Sequence, residues 1–239
     1  MLTYILTIPI VVRYQKFPAS SGLEAFVKYY FICESDEPAR LKVVSPPNCF
    51  TILAFNYGEP SFECETNGQL TQVPNAMACG LFTRNHEFFF SRRSAVAGIA
   101  LRASALHNFF DWNMPELVDH WIPLSDILGS AAEYMFKSIE SQNSDLGRIK
   151  VLEHFASSHF THASGRISYV NRVLDIFEDS LGETSFQEAA RLLHREPDLL
   201  EKEFLEKVGV WPDRYRKLLQ TMVVGNPNAL HEQNWFSVR

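Results

Sequence analysis

The chain has 239 residues, 46% of them hydrophobic and 21% charged, with a formal net charge of −6. That length holds one large or two small domains, and the composition is that of an ordinary globular protein. The acidic balance excludes a global basic field for nucleic acid, but not a basic face on one module.

The first residues, MLTYILTIPIVVRY, are apolar but carry no basic leader and no small-residue cleavage site. They also fall short of the roughly 20 apolar residues that span a bilayer. Thr residues interleave with Leu and Ile ahead of Pro9, which predicts an edge strand. The expectation is a cytoplasmic protein that does not engage the membrane. Cys33, Cys49, Cys64 and Cys79 form no CxxC pair, so they are expected as reduced core thiols, with neither a disulfide nor a metal site. No cofactor is expected.

From Leu41 to Leu101 the pattern is β. Pro46, Pro47 and Asn48 make a turn, and the aromatic and β-branched run Cys49 to Tyr57 reads as a buried strand ended by Gly58. Alternation in SFECETNGQLTQV, broken by Asn67-Gly68, predicts a hairpin. Two more strands are expected near Glu87 to Ser91 and Ala95 to Leu101. Together they suit a small antiparallel barrel or sandwich.

The period then becomes helical. Helices are predicted over Ser104 to Phe110, from Pro123 to about Ile139, and over Gly147 to Phe160, where Ile149, Leu152, Phe155 and Ala156 share a face. Another runs from Ile167 to Leu181, with Val170, Val173, Leu174 and Phe177 at helical spacing and Gly182 as cap. Ser185 and Glu188 have capping-box spacing for the next helix, FQEAARLLHR. Pro197 opens a helix stopped by Gly209, and Pro212 begins one covering Tyr215 to Met222. The tail from Gly225 has no period. The expected class is α+β, an N-terminal antiparallel β barrel or sandwich with short helices followed by an all-α module. The expected divisions are 1–128, a helical linker 129–164, the module 165–223, and a tail 224–239.

Two short helices joined by a tight turn describe a helix-turn-helix. Ser185, Ala189, Ala190, Leu200, Phe204, Gly209, Pro212 and Tyr215, in that order, resemble the first helix-turn-helix of AraC-type transcription regulators. PPNCFTILAFNYG resembles a stretch of one subgroup of sensor domains attached to such modules, and Gly80, Thr83 and the run Pro123 to Gly129 follow that subgroup's layout. The resemblance covers about Leu23 to Tyr215. It implies a DNA-binding regulator with a small-molecule effector, and a homodimer is a further expectation.

The pattern also departs from that family. Only 24 residues follow Tyr215, too few for the family's second helix-turn-helix. Glu196, Asp198, Glu201, Glu203 and Glu206 stand against Lys202 and Lys207 on the recognition helix, and Gln220 stands where the family usually has Arg. Between Arg166 and Val223 there are nine Lys and Arg against eleven Asp and Glu. Since Lys and Arg make the phosphate contacts, two readings stand side by side. One is a DNA-binding regulator contacting DNA through Arg191, Arg195, Lys202, Arg214, Arg216 and Lys217. The other is a homologue that has lost DNA binding and serves as a ligand-binding or protein-interaction module.

The 19 Phe residues suggest a filled core or an apolar cavity. The candidate ligand residues are Phe55, Tyr57, Phe82, Arg84, Phe90 and Trp112, each weighed against plain core packing. Arg84 and His86 are candidates to anchor an anionic group. No G-x-S-x-G, Gly-rich phosphate loop or H-E-x-x-H occurs, so no enzyme is expected. Glu153, His154, His159 and His162 are the best metal candidates, and ordinary linker residues are the expectation there.

Overall fold

In a computed structural model of the chain, the structure describes residues 12–36, 40–59, 62–66, 68–90, 93–160, 168–223 and 237–238. The edge strand expected before Val12, the connection at Gly165 and the tail from Gly225 to Phe236 lie outside them.

The β elements are β1 (Val12–Pro18), β2 (Val27–Ser35), β3 (Leu41–Ser45), β4 (Phe50–Asn56), β5 (Phe62–Thr66), β6 (Gln69–Gln72), β7 (Ala76–Cys79), β8 (His86–Phe90) and β9 (Ser94–Arg102). Two short helices follow, α1 (Ala105–Phe110) and α2 (Met114–Leu117), and then β10 (Trp121–Pro123). After α3 (Ser125–Leu128) come α4 (Ser130–Glu140), α5 (Asp145–Phe160), α6 (Tyr169–Asp179), α7 (Phe186–Leu192), α8 (Pro197–Val208) and α9 (Pro212–Val223). Ser237–Val238, two residues of the unpatterned tail, form β11 against β3.

One sheet runs β1-β2-β9-β4-β7-β10 and the other β11-β3-β8-β5-β6, every pairing antiparallel. The sheets stack as a sandwich, and neither closes into the barrel that was the other expectation. The expected hairpin forms, β5 pairing with β6 so that Thr66 stands opposite Gln69.

Strand alternation explains the layering. From β2, Phe31 and Cys33 face the layer between the sheets, shared with Phe50, Ile52, Phe82, Phe88 and Phe90. Tyr30 and Ile32 point the other way and join Leu53, Phe55, Ile99 and the buried faces of α4 and α5. The six-stranded sheet is thus covered on both sides. That is why all seven residues of β4 are buried, and why its sequence is a continuous apolar run.

The helix expected from Pro123 to Ile139 is broken. Trp121–Pro123 pairs with β7 instead, and Gly129, at φ 56°, separates α3 from α4 in a conformation that strains side-chain-bearing residues. Beyond α5, the helices α6 to α9 bury Val173, Phe177, Phe186, Ala190, Phe204 and Tyr215. Cys49, Leu81 and Ala103 of the sandwich belong to that same cluster, so the helical module and the sandwich share a core. Among the described residues, no helix is long and apolar enough to cross a membrane.

Candidate functional site: the helical face and the cleft beneath it

Ser185 caps α7 as its spacing requires, its Oγ accepting from the Glu188 N–H at 3.2 Å. Ala189 and Ala190 are buried where α7 meets α8, whose inner face is Leu200, Phe204 and Val208. Gly209 ends α8 at φ 92°, and a Cβ there would lie 2.7 Å from the Met114 carbonyl of α2. The end of α8 therefore seats directly on the sandwich's own helix.

Outward, α8 exposes Asp198, Leu199, Lys202 and Glu206, two acids against one cation. The six residues expected to meet DNA are differently placed. Arg191 pairs with Glu188 at 2.6 Å, and the Arg195 guanidinium lies 4.3 Å from the centre of the Tyr169 ring. Arg216 donates to Asp213 and to the Gly182 carbonyl. Arg214 turns back to the sandwich and donates to Thr83 Oγ at 2.8 Å. Lys202 and Lys217 are exposed with no carboxylate in bridging distance among the described residues. Gln220 donates to the Gly182 carbonyl at 2.7 Å, serving the fold.

Thr83 opens a second polar cluster. Its hydroxyl and its backbone N–H both donate to Asp119, at 2.6 and 2.7 Å, and His86 Nε2 stands 3.1 Å from the same carboxylate. Burial works against the Asp119 charge, but the hydrogen bonds from His86 and Thr83 outweigh it and hold the pKa down at about 2. Arg84 is exposed, 3.9 Å from Asp119. His86, the other anion-anchor candidate, is buried and stacked on Phe82.

The remaining ligand candidates are dispersed. Phe55 lies on the helix-facing side of the six-stranded sheet, Phe82 and Phe90 on the other, so the sheet itself separates them. Tyr57 donates to Glu34 at 2.5 Å beneath the Arg148 guanidinium, tying α5 to the sheet. Trp112 is half-buried against the helix-side core. Among the described residues, no group of three or more His, Cys, Asp or Glu is placed to hold a metal; His162 lies outside them.

What the sequence reading misses is a cleft of about 980 Å³ where β1 and β2 meet α6. Lys16, Lys28 and Arg102 line it from the sheet side, with Glu24 beside them and Glu178 and Asp179 from α6. Glu178 is its hub. It pairs with Lys28 at 3.1 Å, stands 3.7 Å from Arg102, and lies 3.3 Å from the Tyr215 hydroxyl. Burial opposes the Arg102 charge, but Glu178 and Asp175 outweigh it and raise its pKa above the ordinary value. Burial, and then Glu178, push the Tyr215 hydroxyl well above its usual range, so it remains a donor. That hydroxyl also lies 3.2 Å from the Cys49 carbonyl. These residues come from distant segments, so no local spacing could have revealed them.

Residues 15–123 match the sequence profile of a domain of unknown function (DUF6597). No curated protein matches the chain. Among solved structures the chain is similar to ToxT from Vibrio cholerae O395, at 9% identity and a TM-score of 0.41, over 90% of each chain. It is similar to the apo form of a single-substitution ToxT variant from Vibrio cholerae strain SCE256, at 10% identity and a TM-score of 0.39, over 89% of this chain and 80% of that one. It is also similar to the AraC-like transcriptional activator CuxR, at 10% identity and a TM-score of 0.30, over 91% and 88% of the two chains.

Proposed function

We propose that the chain is a transcription regulator of the AraC type, meeting DNA through α7, α8 and α9 and carrying a sensor in its β sandwich. The observation that supports this is the α7–α8 pair: a capped first helix, a tight turn, and a second helix packed on one side and open on the other. The working division is a sensor over 1–128, a linker over 129–164, and a DNA-contacting module over 165–223. Of the six candidate cations, Arg195, Lys202 and Lys217 are the ones this reading gives to phosphate, because they have no carboxylate partner among the described residues. The reading assigns the chain no catalytic role. Footprinting on the DNA upstream of its own coding sequence tests it: a protected site that random duplex cannot compete away supports the reading, and uniform cleavage opposes it.

The charge on α8 favours a second reading. With Arg191, Arg214 and Arg216 bonded within the protein and acids on the open face, the module suits a partner-binding homologue that has given up DNA. Absence of protection at low salt selects this reading.

A further inference from the structure

We propose that the cleft between the β1–β2 hairpin and the end of α6 binds a zwitterion of amino-acid or short-peptide size. The inference deepens the regulator reading by placing its effector, and its consequence for DNA rests on that reading.

The charges lining the cleft balance. Lys16, Lys28 and Arg102 set three positive charges in the lining against Glu24, Glu178 and Asp179. A ligand with net charge gains at one set and loses at the other, whereas a neutral ligand with separated charges satisfies both. The cleft also carries cationic side chains on its sheet side. Arg102 Nε is buried with no acceptor among the described residues, and the side chain that carries it lines the cleft. Its neighbour Lys28, only 14% exposed, donates to Glu178 with an ammonium that has three protons. Lys28 and Arg102 thus place cationic groups at the cleft wall for a carboxylate. Glu24 and Asp179 are exposed acids at the mouth, suited to an ammonium group. The volume, about 980 Å³, is at the upper end for small-molecule sites and admits a short peptide as readily as one amino acid.

The position gives binding a consequence. Lys28 and Arg102 belong to the sheet and Glu178 to α6, so a ligand that engages both sides alters how the helical module is held on the sandwich. Coupling to DNA then follows as a shift in affinity, reciprocal between the two ligands.

The test is calorimetric titration of the full chain with each of the twenty free amino acids, diglycine and triglycine, with acetate and methylamine as single-charge probes. At least one zwitterion is expected to bind saturably at one site, with neither single-charge probe reproducing it. Glu24→Gln and Lys28→Met are each expected to weaken that binding about tenfold or more. Glu24 is exposed, so its variant keeps the fold even if Lys28→Met does not, and circular dichroism checks both. The proposal is overturned if no zwitterion of the panel binds, if acetate binds equally well, or if Glu24→Gln binds unchanged. The titration contains no DNA, so its failure is distinct from failure of the regulator reading.

Discussion

Replacing Tyr215 by Phe removes one hydroxyl and leaves the ring where it is. That hydroxyl is the point where α9 meets both Cys49 of the sandwich and Glu178 of α6, at 3.2 and 3.3 Å. Glu178 keeps Lys28 and Arg102, but the Cys49 carbonyl, in a fully buried residue, loses this donor. An unsatisfied buried acceptor costs roughly 1–3 kcal/mol, so about 2 kcal/mol is expected for the variant. For a chain of this size that lowers Tm by about 4–8 °C. Tyr215→Ala also loses a ring packed 5.8 Å from Phe204 and 6.4 Å from Phe177, and should cost roughly 5 kcal/mol. Urea denaturation followed by circular dichroism measures both. Because the helical module and the sandwich share a core, each variant should unfold in a single transition. A Tyr215→Phe loss below about 0.5 kcal/mol, or a separate early transition of the helices, would refute the reasoning.

Gly209→Ala should cost about 3 kcal/mol by chemical denaturation, from the positive φ and a Cβ forced within 2.7 Å of Met114. Wild-type stability there would show that α8 does not seat on α2 as described. Asp119 has its folded pKa depressed to about 2 from 3.8, so its stabilisation, about 2 kcal/mol, is present above pH 4 and is lost as pH falls through 2. The gap between wild type and Asp119→Asn should therefore be widest near neutrality, narrow below pH 4 and close only below about pH 2; a gap independent of pH would contradict the assignment. Lys202→Glu combined with Lys217→Glu should abolish binding to random duplex while leaving Tm within about 1 °C, since both side chains are exposed. Undiminished binding would contradict the DNA contacts proposed for these residues.

Much of the fold is legible because local chemistry agrees with the final structure. Ser185, Pro197 and Gly209 mark helix ends by hydrogen bonding and backbone geometry that need no tertiary partner. The Asn-Gly signal between β5 and β6 sets their hairpin in the same way. The strands β1 and β2 escape the sequence reading. In β2 both faces are buried, so VKYYFICES shows no alternation, and β1 is a partly exposed edge strand. The break at Gly129 is hidden because the apolar spacing continues across it.

The site is less legible for a related reason. The aromatic residues stood as candidates for a cavity lining or for plain core packing, and alternation along the strands sends Phe55 to one face of a sheet whose other face holds Phe82 and Phe90. The charged cleft instead joins β1, β2, β9 and α6, whose residues are up to 163 positions apart, from Lys16 to Asp179. The fate of the cations is equally hidden. That Arg214 reaches Thr83, 131 residues away, follows from how α9 docks and from nothing in its own neighbourhood.

The measurement that bears most directly on the regulator reading is DNA affinity at two salt concentrations, with random duplex and the chain's own upstream region. Three cations free of carboxylate partners among the described residues predict weak binding to random duplex, with a logarithmic salt slope of about −3 and tighter binding to the upstream region. No binding to either DNA at low salt would contradict the regulator reading and leave the helical module as a surface for protein partners.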